Sequence, residues 1–272
     1  MVRSLWTAAT GMIAQQTNVD TIANNLANVN TTGYKTQVNE FKSLLYQNIQ
    51  TKTTSSDGTP KPTSAQVGLG VRNAALDSIF TQGNITATES DTAFAISGDG
   101  FFAVQGIDGT PQYTRNGNFT WAIGNDERIT LTNSDGLPVL DTLGREISLP
   151  NTYVTNRIVV TADGTICYPD ANNNPQSLGI TIGVYQFNNP GGLNKEGESL
   201  YTETAASGPA LNEALTPNVQ KSKVLQGYLE ASNVQVVDEM VNLIVAQRAY
   251  ELNSKAITSS DEMLQQANNL RR

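Results

Sequence analysis

The chain has 272 residues, 38% of them hydrophobic and only 15% charged, with a formal net charge of −8 and no histidine. That length allows one to three domains and a sizeable core. The charge excludes a basic nucleic-acid surface and disfavours anionic membranes, and the missing histidine removes the commonest general base and transition-metal ligand.

The N-terminal segment reads as a long helix. Leu5, Met12, Val19 and Leu26 recur every seven residues, and Ala8, Gln15, Ile22 and Val29 fill the position three further on. This is an a/d stripe of the coiled-coil kind, softened by Gln15. The pattern predicts a stop near Asn30–Gly33, with Gly33 as a left-handed cap. Apart from Arg3 and Asp20, the first 34 residues carry no charged side chain. Asparagine and glutamine crowd the polar positions, although asparagine is a mediocre helix former. An uncharged polar face of this kind suits a packed, partly wet environment such as a channel wall. The same segment lacks a continuous apolar stretch, so no cleaved secretory signal is expected. No run of about 18 apolar residues that could span a membrane occurs anywhere in the sequence.

Residues 50–70 are rich in Thr, Ser, Pro and Gly and read as a loop or extended arm. The centre then changes period. Asp99-Gly100, Asp108-Gly109, Asn116-Gly117, Asp135-Gly136 and Asp163-Gly164 punctuate apolar runs such as Phe101–Val104, Ile129–Leu131, Ile158–Val160, Ile180–Ile182 and Val184–Phe187. These are hairpin signals and predict a mostly antiparallel β domain. Cys167 stands alone, which fits a buried structural thiol and no internal disulfide.

The C-terminal segment returns to a heptad. Val236, Leu243, Tyr250, Ile257 and Leu264 recur every seven residues, with Val237, Met240 and Ile244 widening the stripe and Asn233 as a candidate cap. The helix should run from about 234 to 268. Two narrow seams at opposite ends of one chain predict that the termini pack together, and neither helix is stable in water with its seam uncovered.

No catalytic constellation stands out. Asp99 and Asp108 would be a carboxylate pair for glycoside hydrolysis, but both precede glycine in turns, and turn formation explains them better. Asp91, Asp99 and Asp108 lack calcium-loop spacing, and Gly98-Asp99-Gly100 is not a phosphate loop. Nothing here asks for a cofactor, a metal or a small-molecule substrate.

Several motifs resemble the flagellar rod and hook proteins. They are Asn24-Asn25-Leu26-Ala27-Asn28-Val29-Asn30-Thr31-Thr32-Gly33-Tyr34-Lys35, Gly98–Phe102, Tyr113–Phe119, Asn189–Leu193, Gly227–Val234 and Gln247–Lys255. In the first of these, Asn24, Asn25, Leu26, Asn28, Gly33, Tyr34 and Lys35 form the family signature. Phe41–Tyr46, Val67–Val71 and Thr81–Asn84 resemble the distal rod branch, whereas 217–223 stands where the family often has a glycine-rich stretch.

The resemblance implies an α+β fold whose long terminal helices pack as a coiled coil beneath a central antiparallel β domain and an extended arm. It implies a helical inner domain at 1–33 plus 231–272. A connecting region at 34–93 plus 213–230 would carry an arm at 46–83, and a β-rich outer domain would occupy 94–212. The function implied is a structural, non-catalytic subunit of a rigid hollow shaft crossing the periplasm, exported through the flagellar apparatus without a cleaved signal. Its partners would be copies of itself in an open helical array, other rod and hook-side axial proteins, the surrounding ring bushings and the export apparatus. Leu5, Met12, Val19, Ile22 and Leu26 with Val236, Leu243, Tyr250, Ile257 and Leu264 are the expected assembly contacts. A hook-like subunit is the alternative within the family, and a β-rich wall-binding module or wall hydrolase the alternative outside it.

Overall fold

The computed structural model describes residues 2–50, 65–124, 127–170, 174–217 and 219–270. They form two compact units, one of residues 1–27, 37–77 and 235–272, the other of residues 28–36 and 78–234.

The first unit contains both long helices, α1 (Val2–Ala27) and α2 (Val236–Asn269). They run antiparallel. Ser4 meets Ser260 at 3.3 Å. Seven residues further along α1, Gly11 lies where a Cβ would come within 2.9 Å of Asn253 Nδ2, seven residues back along α2. Fourteen further on, Asn25 hydrogen-bonds Glu239, fourteen back. Two paired strand segments complete the unit, Gln37–Ser43 with Val71–Ser78 and Tyr46–Gln50 with Ala65–Gly68. The loop or arm expected over 50–70 is therefore a strand at 65–68, and its stretch from 51 to 64 lies outside the described residues.

α1 ends at Ala27, a turn earlier than its apolar spacing suggests. Asn28 and Thr31 satisfy each other, through Thr31 N–H to the Asn28 carbonyl and Thr31 Oγ1 to Asn28 Oδ1. Local bonds of this kind compete with helix continuation. α2 begins one residue after Gln235, which makes no side-chain cap bond. Asn233 is not its cap, because its amide is taken by Thr36, Ile79 and Thr81.

The second unit is antiparallel in every strand pair whose register is resolved, as the turn signals predict. Its largest sheet runs in the order Asn194–Gly197, Leu200–Thr202, Pro111–Thr114, Phe101–Gln105, Val184–Gln186, Leu211–Asn212. The central strand, Phe101–Gln105, separates two cores. Successive side chains alternate faces, so Phe102 and Val104 join a large aliphatic cluster with Ile96, Leu131 and Ile182. Phe101 and Ala103 join an aromatic one with Tyr113, Phe187 and Tyr201. A strand covered on both faces reads as an unbroken apolar run, which Phe101–Val104 is.

Three of the five turn dipeptides close tight antiparallel turns: Asp108-Gly109, Asp135-Gly136 and Asp163-Gly164, each with a left-handed glycine. The other two do not. Asp99-Gly100 joins strands of different sheets, since Phe94–Ser97 pairs with Lys223–Gln226. Asn116-Gly117 is a crossing. A Cβ on Gly117 would stand 1.7 Å from the Phe94 carbonyl oxygen, so glycine is there for close backbone approach.

Candidate functional site

Three of the motifs, far apart in sequence, meet in the second unit. Each carries one charged residue in an otherwise neutral run: Lys35, Arg115 and Glu230. Lys35 Nζ lies 2.6 Å from Glu230 Oε1, and Arg115 Nη1 lies 3.3 Å from Glu230 Oε2. The Lys35 and Glu230 side chains are fully buried. Lys35 also donates to the Thr81 carbonyl at 2.7 Å, and Glu230 Oε1 accepts the Gly83 N–H at 2.9 Å. The Arg115 guanidinium sits 5.0 Å over the Phe101 ring. Burial pushes the pKa of Lys35 and of Arg115 down, and Glu230 opposes that shift in both. One carboxylate thus faces two cations, all three side chains closed off from solvent. Such a cluster contributes little net stability as a whole but is costly to break in part.

The backbone around it is equally tied. Gly33 donates its N–H to the Glu230 carbonyl at 2.8 Å, and Thr32 Oγ1 donates to Asn116 Oδ1 at 2.8 Å. Gly33 is left-handed at φ 68°, as the sequence suggests, but six residues beyond the helix rather than capping it. A Cβ there would fall 2.6 Å from Arg115 carbonyl carbon, so the loop needs glycine twice over. Tyr34 lies under Lys195 Nζ at 5.3 Å.

In the first unit, the signature continues through Asn25. Its Nδ2 donates to the Gln37 carbonyl at 2.8 Å, and its Oδ1 accepts the Gln37 N–H at 2.9 Å, so it closes both bonds of one residue's backbone. Asn24 reaches the Gln37 side chain; in the second unit, Asn28 bonds Thr31.

Of the residues expected as assembly contacts, Ile22 is buried between the two helices. Leu5, Met12, Val19, Leu26, Leu243, Ile257 and Leu264 are half-buried, while Val236 and Tyr250 are exposed. The most buried line of the helix pair, Ile22 apart, is made of small and polar residues rather than large apolar ones. On α2 it is Glu239, Ala246 and Ser260, with half-buried Asn253 completing the heptad; on α1 it includes Ala8, Ala14, Thr21 and Asn25. Reading for apolarity misses this line, although its spacing of seven on α2 is visible once small residues are counted. Val237, Met240 and Ile244 do not widen the inner seam. With Val241 and Val245 they form a second stripe, each residue more than half exposed.

Among the described residues no group of His, Cys, Asp or Glu could hold a metal, and no helix is long and apolar enough to cross a membrane. Cys167 is buried and unpaired.

Paired terminal helices in one unit and motif residues locked together in the other define an axial protein of the flagellar type, and family models agree along the chain. The model for flagella basal body rod proteins matches residues 5–35, that for the D1 domain of flagellar hook protein FlgE/F/G matches 95–168, and that for the C-terminal part of flagellar basal body rod FlgEFG proteins matches 225–270. The flagellar basal-body rod protein FlgG of Borreliella burgdorferi is 45% identical over the whole of both chains. Its counterpart in Caulobacter vibrioides is 42% identical over 99% of this chain and all of that one, and that of Bacillus subtilis 38% over the whole of both. The chain belongs to the flagellar basal-body rod protein family, with its full-length likeness to the FlgG, distal-rod members.

Proposed function

We propose that the protein is a structural subunit of the distal rod that assembles into a rigid hollow shaft, encloses the export channel and transmits torque, with no catalytic role. The observation that carries this reading is the stripe Val237–Val241–Ile244–Val245 on α2. Its spacing of four, three and one places it on one helical face, exposed where the seam shared with α1 is covered. A long helix that is apolar on two sides has one side to spare, and a second copy is the occupant proposed. Contacts that do not close into a ring generate an open helical filament. Torque then passes through many such contacts in parallel.

The finer layout follows the family. The helices would form an inner coiled coil, with 1–33 and 231–272 lining the channel. Residues 34–93 and 213–230 would connect them to an outer β domain at 94–212, with 46–83 as a bracing arm. Leu5, Met12, Val19, Ile22, Leu26, Val236, Leu243, Tyr250, Ile257 and Leu264 would set the helix spacing on which intersubunit contacts depend. The rod would lie in the periplasm, reached by flagellar export without a cleaved signal, among other rod and hook-side proteins and inside the ring bushings. Electron microscopy of the purified protein, alone and seeded with isolated rods, tests the reading. Filaments that grow from the seeds support it, and a protein that stays monomeric at every concentration with seeds present overturns it.

A further inference from the structure

Gln105, Tyr113, Tyr185 and Glu203 meet around a cavity of about 330 Å³ at the margin of the aromatic core of the second unit. Tyr113 forms its inner wall. The residue is 2% exposed, with its ring set edge-to-face against Tyr185 at 5.6 Å and Phe187 at 4.8 Å. A buried phenol normally finds a hydrogen-bond partner. Tyr185 does, in Asn212. The Tyr113 hydroxyl has none among the described residues, and it opens on the cavity. The Gln105 side-chain amide is likewise without a partner there.

Glu203 stands exposed at the mouth. One of its oxygens accepts the Ala210 N–H at 3.2 Å, and no cation pairs with it among the described residues. Arg145, next to the rim residue Gly144, is already bound by Asp141 at 3.0 Å. Burial and the charge of Glu203 raise the pKa of Tyr113, so its phenol stays protonated and keeps its hydrogen-bonding capacity. The mouth itself is open. Gly109 and Gly144 line it as left-handed turn glycines, and a Cβ on either would meet nothing within 4 Å.

The lining thus offers a negative charge and unused acceptors, with no cation of its own. A guanidinium matches it. That group is planar, always charged, rich in N–H donors and more weakly hydrated than an ammonium, so it leaves water more readily than lysine does. The rim is broad, because Pro111 and Pro209 are exposed beside the two glycines. A ligand no larger than the cavity would leave that rim bare, whereas a side chain carried on a protein surface would cover it. We propose that this cavity is a docking pocket for an arginine side chain of a partner protein, with Glu203 binding its charge and Tyr113 and Gln105 accepting its remaining N–H groups. The pocket stands on its own lining and holds or fails independently of the rod reading.

The test titrates the isotope-labelled full chain with N-acetyl-arginine amide and, separately, with N-acetyl-citrulline amide, which has the same shape but a neutral urea in place of the guanidinium. The amide signals of Gly109, Gly144 and Ala210 report on the site. The arginine amide is expected to saturate with a Kd of about 1–10 mM, as a single charged anchor gives. The citrulline amide should bind about tenfold or more weakly, and Glu203→Gln, a change at an exposed position, should weaken the arginine amide by the same factor. Tyr113→Phe should weaken it about two- to tenfold and leave the thermal midpoint in place, because the hydroxyl has no partner within the chain to lose. The absence of a saturable shift, equal binding of the two amides, or full affinity in Glu203→Gln overturns the proposal.

Discussion

Lys35 and Glu230 lie 195 residues apart in sequence and meet at 2.6 Å with both side chains excluded from solvent. The contact fastens the loop that follows α1 to the strand that precedes the α2 segment, and Arg115 brings the middle of the chain to the same carboxylate. Each partner is the lone charge of its motif, and the fold encloses the three together, away from solvent.

Glu230→Gln should therefore be among the most damaging isosteric changes in the second unit. It keeps the shape but leaves Lys35 and Arg115 buried beside a neutral amide. Removing one partner of a buried ion pair costs about 3–5 kcal/mol. Chemical denaturation followed by tyrosine fluorescence measures this, and a loss under about 1 kcal/mol would mean that water already screens the cluster. Lys35→Met should cost less, because Arg115 remains to face the carboxylate.

Asn25→Asp probes the first unit. Asn25 is 1% exposed and uses its donor and its acceptor on the backbone of Gln37. Aspartate keeps the acceptor but turns a carboxylate oxygen toward the Gln37 carbonyl, with Glu239 close by. An unmet buried polar group costs about 1–3 kcal/mol, more when charged. The sign with pH is fixed: a carboxyl so placed has a raised pKa in the folded state, and its protonated form can donate again. The penalty should be present at pH 7 and fade as pH falls toward 4. Helicity melts at the two pH values check this, and equal penalties at both would contradict it.

Alkaline stability should show a maximum. The Lys195 pKa is depressed to about 8, so between there and its unfolded value the unfolded chain binds more protons, and stability rises with pH. Burial raises Tyr113, Tyr185 and Tyr201, so their contribution is intact below about pH 10 and is lost as pH climbs beyond it. Urea midpoints at pH 7, 9 and 11 should rise and then fall. Lys195→Met should shrink the rise to the part that the buried Lys35, whose pKa is also lowered, supplies, and keep the fall; a monotonic decline in the unmutated chain would refute the assignment.

The two helices were legible because an apolar period of seven survives whatever packs against it. The register between them was not. Gly11, Asn253, Ser4 and Ser260 decide how closely the axes approach, and none announces itself by hydrophobicity. Turn dipeptides showed where the chain bends but not what it bends toward. Asp108-Gly109 closes a hairpin, while Asn116-Gly117 is glycine because Phe94 crosses it. Asn233 reads as a helix cap until Thr36, Ile79 and Thr81 claim its amide. Long-range polar partners leave no local pattern, and the ionic cluster is hidden for the same reason.

The two apolar faces of α2 make separable demands. Leu243 is half-buried in the seam with α1, whereas Val241 is 54% exposed on the outer stripe. Leu243→Asp should weaken the helix pair and abolish incorporation into the flagellum while leaving the β unit folded. Val241→Asp should change the stability of the isolated chain by no more than about 0.5 kcal/mol, as surface substitutions do. It should nevertheless abolish incorporation, because a carboxylate cannot enter an apolar contact between copies without a partner. Motility plates and isolated basal bodies read the outcome, alongside a thermal melt of each purified variant. A motile strain carrying Val241→Asp would show that the outer stripe stays wet in the assembled rod. Loss of assembly by a variant that melts like the parent would place the stripe at a contact between subunits.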